Sequence, residues 1–182
     1  MAEALASAAA VGSTDWVFAH RQLAELLVEP DPWRATITAR LVVRYTPDDD
    51  GAWAVQGLAL TLLGHYRVAA KAYRAALALA PDNPWYAHNL GHLLDVALAR
   101  PRDAVPLLRQ AFGAEPHPEI GSSLAHALAR TGRVDEAKSV LKRSLKGEPP
   151  SDDQRALLTW LESGAPASTG RRPGRREREI RG

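Results

Sequence analysis

The chain has 182 residues, a formal net charge of +2, a hydrophobic fraction of 46% and no cysteine. These values describe one folded domain of ordinary size. They exclude disulfides, zinc–thiolate centres and thiol nucleophiles outright. No apolar run approaches the length needed to cross a membrane. Residues 1–13 are Ala-rich but lack the basic start of a signal peptide, so they are expected to be disordered and the protein to be soluble and cytoplasmic.

The charge is unevenly spread. Residues 163–182 hold six arginines and two glutamates, a local charge of +4, which leaves −2 for residues 1–162. Ala and Leu outnumber Val and Ile, which favours helices over strands, because β-branched side chains lose χ1 freedom in a helix.

The first predicted elements, between Thr14 and Tyr45, form a helix pair within a unit spanning 14–49. Trp16, Leu23, Leu26 and Leu27 make one apolar stripe. Pro30-Asp31-Pro32 turns the chain, and Ala35, Ala39, Val42 and Val43 make a second stripe that closes at Pro47. This is either a degenerate repeat or an unrelated helical cap.

From Asp50 the sequence repeats itself. Gly57, Gly91 and Ala125 recur every 34 residues, and so do Leu60, Leu94 and Leu128. Ala69, Ala104 and Ala137 follow at spacings of 35 and then 33, as do Tyr73, Leu108 and Leu141. One extra residue therefore sits in the middle unit, between Leu94 and Ala104. The units are 50–83, 84–117 and 118–151, closed by Pro81, Pro116 and Pro149.

Each unit reads as two helices. In the first unit, Trp53, Gly57 and Leu60 share a face at helical spacing. Gly64-His65-Tyr66 turns the chain, and Ala69, Tyr73, Ala76 and Leu77 form the stripe of the second helix. Gly57 and Ala69 are expected where the two helices cross, since a large side chain there would overpack the contact.

This pattern resembles the tetratricopeptide repeat. Trp53, Gly57, Leu60, Gly64, Tyr66, Ala69, Tyr73, Ala76 and Pro81 follow the family signature, and the next two units match it at fewer positions. Gln56 stands where the family prefers Leu, Gly121 where it prefers an aromatic and Ser144 where it prefers Ala. The resemblance covers roughly Asp50 to Ser151. It implies an all-α, right-handed α-solenoid of stacked antiparallel helix pairs.

Asp152 to Glu162 is a predicted capping helix, with Ser151 as its N-cap and Leu157, Leu158 and Leu161 on its apolar side. Trp160 is placed to cover the last repeat. Beyond it, residues 163–182 are too poor in apolar side chains to offset the entropy of ordering, and disorder is expected.

No sequence signature of an enzyme is present: there is no phosphate-binding glycine loop and no serine in a nucleophile elbow. His88 and His92 lie four residues apart, with Asp95 close by, and His126 takes the repeat-equivalent place of His92. A polar, histidine-rich groove wall is expected there, with neither metal nor cofactor.

The resemblance implies that the first helices line a concave groove that holds a segment of another protein. Mapped onto this chain, the groove residues are Val55, Leu58 and Leu62, then Trp85, His88, Asn89 and His92, then Ser122, His126 and Arg130. Ala54, Thr61, Val96, Glu119 and Ser123 accompany them. One end is apolar and the other polar. Some relatives clamp a terminal carboxylate with Lys, Asn and Arg. Here only Asn89 matches, and Glu119 stands in the place of a base, so that ligand is not expected.

The expected function is that of an adaptor or scaffold for a protein partner. One alternative is a chaperone for a secreted or assembly-bound client. Another is binding of nucleic acid or an anionic surface through Arg171, Arg172, Arg175, Arg176, Arg178 and Arg181, with a steep salt dependence. That tail offers no aromatic residue for base stacking.

Overall fold

The computed structural model describes residues 9–145 and 149–163. Among these residues there are nine helices and no strand. They run in antiparallel pairs: α1 (Thr14–Leu27) with α2 (Pro32–Tyr45), α3 (Asp50–Leu62) with α4 (Tyr66–Leu79), α5 (Pro84–Val96) with α6 (Pro101–Ala114), and α7 (Pro118–Arg130) with α8 (Val134–Leu145). The helix α9 (Asp152–Glu162) packs on α7 and α8. The molecule is an all-α solenoid, in which each pair contacts mainly its neighbours. None of the described helices is long and apolar enough to cross a membrane. The disorder expected at the two termini falls largely on residues 1–8 and 164–182, outside the described residues.

The helix boundaries follow from local chemistry. Ser13, Asp31, Asp49 and Asn83 each accept a hydrogen bond from a backbone N–H of the following first turn, and so satisfy donors that have no partner within the helix. Proline occupies the opening turn of α2, α5, α6 and α7, where its missing N–H costs nothing. Ser151 and Gln154 form a reciprocal capping box at the start of α9. The residues before three closing prolines, Thr46, Ala80 and Glu115, leave the helical region with ψ of 78°, 74° and 101°, as the proline ring requires.

The turns inside the pairs locate the extra residue of the middle unit. Gly64 (φ 77°) and Gly132 (φ 86°) end α3 and α7 in the left-handed region. Each lets the next residue bond back five positions, His65 N–H to the Leu60 carbonyl and Arg133 N–H to that of Leu128. In the middle unit the corresponding bond runs six positions back, from Arg100 N–H to Leu94. The left-handed position is filled by Ala99 at φ 52°. The insertion is thus absorbed in the turn, with α5 and α6 left in register.

The core lies between the two helices of each unit and between units. Leu108, Ile120, Leu124, Leu128, Leu141 and Leu161 are essentially inaccessible, each worth about 1.5–3 kcal/mol of burial. The helices of a unit approach closely at the small residues, and in the middle unit a Cβ on Gly91 would lie 3.4 Å from the Ala104 carbonyl oxygen. A Cβ on Gly57 would lie 2.8 Å from the Tyr73 ring, and one on Gly91 would lie 2.7 Å from Leu108 Cγ. The glycine makes room for the large residue one turn beyond the alanine, since that residue leans back along its helix toward the crossing point.

Two departures from the repeat signature turn out to be partners. A Cβ on Gly121 would come within 2.3 Å of Ser144 Cβ. The aromatic and alanine preferred at these places are replaced together, by glycine and serine. Ser144 Oγ donates to the Leu141 carbonyl, so its hydroxyl is satisfied inside the core.

The N-terminal stripe also needs correction. Trp16, Ala19 and Ala24 are the buried residues of α1, whereas Leu26 is 65% exposed. Trp16 is held between His20, stacked at 3.8 Å, and Tyr45, edge-on at 5.0 Å. These contacts rotate α1 so that Leu26 faces outward.

Candidate functional site: a furrow along the first helices

Three depressions join into one furrow. The first, about 400 Å³, is walled by Glu25, Leu26, Val28, Glu29, Pro30, Val55 and Leu58. The second, about 280 Å³, shares Leu58 with it and adds Thr61, Tyr66, Tyr73, Asn89, His92, Leu93, Val96 and Ala97. The third, about 560 Å³, shares Asn89, His92 and Val96 with the second and ends on His88, Glu119, Ser122, Ser123, His126 and the start of α9. The furrow therefore runs from α1 across α3, α5 and α7 to α9.

Its first half is apolar and open. Leu26, Leu58 and Val96 are each between 42% and 65% exposed, although they sit on helices whose opposite faces are buried. Leu58 links two depressions and is central to this half.

The second half is polar and organised. Ser123 Oγ lies 3.0 Å from His88 Nε2 and 3.2 Å from His92 Nδ1. A hydroxyl has one proton, so it donates to one imidazole and accepts an N–H from the other. His88 is buried, and burial pushes its pKa down; the same desolvation lowers that of His92. Both rings are neutral at neutral pH. His88 Nδ1 is sealed from solvent with no partner in hydrogen-bond geometry.

Behind this pair stands Asp95, also buried. Its carboxylate accepts from His126 Nδ1–H at 2.6 Å and from Arg130 Nη1–H at 2.8 Å, and Arg130 bonds the Asp95 backbone carbonyl as well. The acceptor requires the His126 proton to be on Nδ1. His126 in turn stacks on Trp160, with ring centroids 5.7 Å apart. Side chains of α5, α7 and α9 are thereby tied together. Gln154 of α9 donates to Ser122 Oγ at 3.3 Å and closes the end of the furrow.

Ser123 beside His88 is not arranged as a nucleophile and its base. The hydroxyl is shared by two imidazoles, and among the described residues no carboxylate orients the second nitrogen of His88. Nor do the described residues gather three His, Asp or Glu side chains as a metal site.

Most of the residues expected along the groove do come together. Val55, Leu58, His88, Asn89, His92, Ser122 and His126 line the furrow. Leu62 is exposed on the same helix without lining any of the three depressions. Trp85 instead packs edge-on between His88 at 5.7 Å and His117 at 5.2 Å, against the core. Arg130 is held by Asp95 and does not line the furrow. Sequence reasoning missed the contribution of α9, whose Asp153, Gln154 and Leu157 form the far wall. It also missed the N-terminal wall, Glu25 to Pro30. The Ser151 capping signal located α9 but not the side it closes. The six arginines of the tail lie outside the described residues.

The comparisons agree with this architecture. The tetratricopeptide repeat family models match residues 51–83 and 95–161. The chain belongs to the tetratricopeptide repeat family, a class of helical scaffolds for protein interactions. A search of curated proteins finds no match. Among solved structures the chain is similar to TTC0263, a thermophilic repeat protein of Thermus thermophilus, at 23% identity and a TM-score of 0.67, covering 81% of each chain. It is similar to YrrB, described as having an unusual peptide-binding site, at 21% identity and a TM-score of 0.70, covering 81% of this chain and 76% of that one. MamA of Desulfovibrio magneticus RS-1 follows at 17% identity and a TM-score of 0.72, covering 81% and 84%. At these identities the likeness carries the fold alone.

Proposed function

We propose that this protein is a binding scaffold that holds a segment of another protein in the furrow. The observation that carries this reading is the continuity of the three depressions through Leu58, Asn89, His92 and Val96, with exposed leucines along the first half. Apolar side chains left open beside a preformed furrow are what an anchored peptide or helix covers. The polar half then sets register, because its hydrogen-bonding groups are already positioned by Ser123 and Asp95. YrrB, similar in fold, is described as having an unusual peptide-binding site, which is in keeping with this use of the solenoid.

The test is capture of a stoichiometric protein partner from nuclease-treated extract, comparing the full chain with Leu58→Asp. Leu58 is 42% exposed, so the fold tolerates the change while the furrow gains a charge at its centre. Loss of the partner with retained helicity supports the reading. Unchanged capture by Leu58→Asp refutes it.

A further inference from the structure

The furrow carries carboxylates at both ends and no cation. Among the described residues that line it, none is Lys or Arg. Glu25 and Glu29 stand exposed at the α1 end, and Glu119 and Asp153 at the α9 end. Arg130 of α7 is paired with the buried Asp95. Burial lowers the pKa of His88 and His92, which disfavours a positive charge on either ring.

A second observation marks the α9 end as unfinished. His88 is 3% exposed, lines the furrow and keeps an unpartnered Nδ1. A buried polar atom without a partner is costly; with Nδ1 sealed from solvent, the group that can reach it is the adjacent Asn89 side chain, once a partner in the cleft reorients that amide. Asn89 and Glu119 beside it complete a set of hydrogen-bonding groups facing one small volume.

We infer that the partner segment is an apolar stretch carrying a basic side chain, with the apolar part on Leu58 and Val96 and the Lys or Arg between Glu119 and Asp153. This rests on the furrow being the binding site, as proposed above. The apolar floor supplies affinity and the carboxylates of the α9 end supply orientation, because Glu25 at the α1 end already pairs with Arg21, which leaves Glu119 and Asp153 to receive the partner's cation. From Leu58 on α3 to Glu119 on α7 there are two helix steps of about 10 Å each. An extended segment rises about 3.3 Å per residue, so the basic residue lies about six positions from the apolar anchor. A lysine or arginine stem covers apolar surface while its head reaches the carboxylates.

An unbiased array of synthetic peptides probed with the full chain tests this. The expected result is selection of peptides that combine apolar residues with Lys or Arg. Glu119→Lys with Asp153→Lys, both at exposed positions, weakens those peptides about tenfold, as two exposed charge pairs allow. The same double variant shifts selection toward Asp and Glu. If the wild-type chain selects neutral or acidic peptides that Leu58→Asp abolishes, or the charge reversal changes nothing, this inference is overturned and the furrow reading stands. If no peptide depends on Leu58, both fall together.

Discussion

The two halves of the solenoid are held together differently. From Leu60 on α3 to Leu161 on α9 one apolar cluster runs without a break. Apart from Leu60, the buried apolar side chains among α1, α2 and α3 are mostly alanines, Ala19, Ala24, Ala35, Ala39, Ala52 and Ala59, with Trp16, Val28 and Val42 as the larger ones. The C-terminal half also carries side-chain bonds between successive first helices, from His88 and His92 to Ser123 and from Asp95 to His126 and Arg130. In the N-terminal half, Arg21 pairs with Asp49, and Tyr86 donates to Asp50 at 2.8 Å. In a repeat protein, where each unit is stabilised by its neighbours, that contrast makes the first helix pair the segment that opens first. It also places the rigid, polar half of the furrow on the well-packed end and the open, apolar half on the looser end. In the binding role proposed above, the loose end would adjust to a partner's shape and the polar end would read its chemistry.

The largest effect should come from cutting the core of the tight half. Leu128→Ala at a fully buried position is expected to cost about 3 kcal/mol, whereas Leu26→Ala should stay within about 0.5 kcal/mol. Chemical denaturation of both variants checks this, and equal losses would erase the contrast between the halves.

Next comes Gly121→Ala. With Ser144 Cβ only 2.3 Å from the new methyl, a loss of about 2 kcal/mol is expected. Adding Ser144→Gly should recover more than half of it, a coupling that a double-mutant cycle reads directly. Additive losses would show that these two substitutions of the repeat signature do not compensate one another.

The third prediction uses pH. His88 and His92 have depressed pKa values in the folded protein, so below the ordinary histidine value of about 6.5 the unfolded chain binds more protons than the folded one. Stability should therefore fall as the pH drops from about 7 to about 5, and the fall should register in the half that contains Ser123. Amide exchange of α5 and α7, compared with α1 and α2, measures it. His88→Asn should flatten the profile, and an equal response in α1 would contradict the assignment.

The smallest effect concerns the turn that joins α5 to α6. Ala99 sits at φ 52°, where Gly64 and Gly132 serve the neighbouring units. Ala99→Gly should stabilise by about 0.5–1 kcal/mol, the left-handed strain relieved exceeding the added freedom of the unfolded chain. A lowered thermal midpoint would mean that the Ala99 methyl makes a contact that matters more than its backbone.

Much of this was legible before folding. The 34-residue period, its slip to 35 and recovery at 33, and the turn prolines come from short-range chemistry that every unit repeats. The groove side of α3, α5 and α7 came from the resemblance to the repeat family, mapped through that period onto Leu58, His92 and His126. Where the reading failed, the cause was rotation or an end effect. Leu26 fits the apolar stripe of α1 by spacing alone, but Trp16 wedged between His20 and Tyr45 sets the helix angle. Trp85 and Arg130 sit at groove positions by count, yet one finds His117 and the core and the other finds Asp95.

By itself, then, the sequence determined the helices, their pairing and the order of units, because caps, prolines, glycines and apolar spacing act within about one turn of the chain. Tertiary structure alone decided that Gly121 and Ser144 compensate one another, that Asp95 anchors two neighbours from α7, and that α9 and the α1–α2 turn close the furrow at its ends. Those facts depend on which side chains meet across residues some 23 to 35 apart. Helix rotation and packing set such meetings, and periodicity does not encode them.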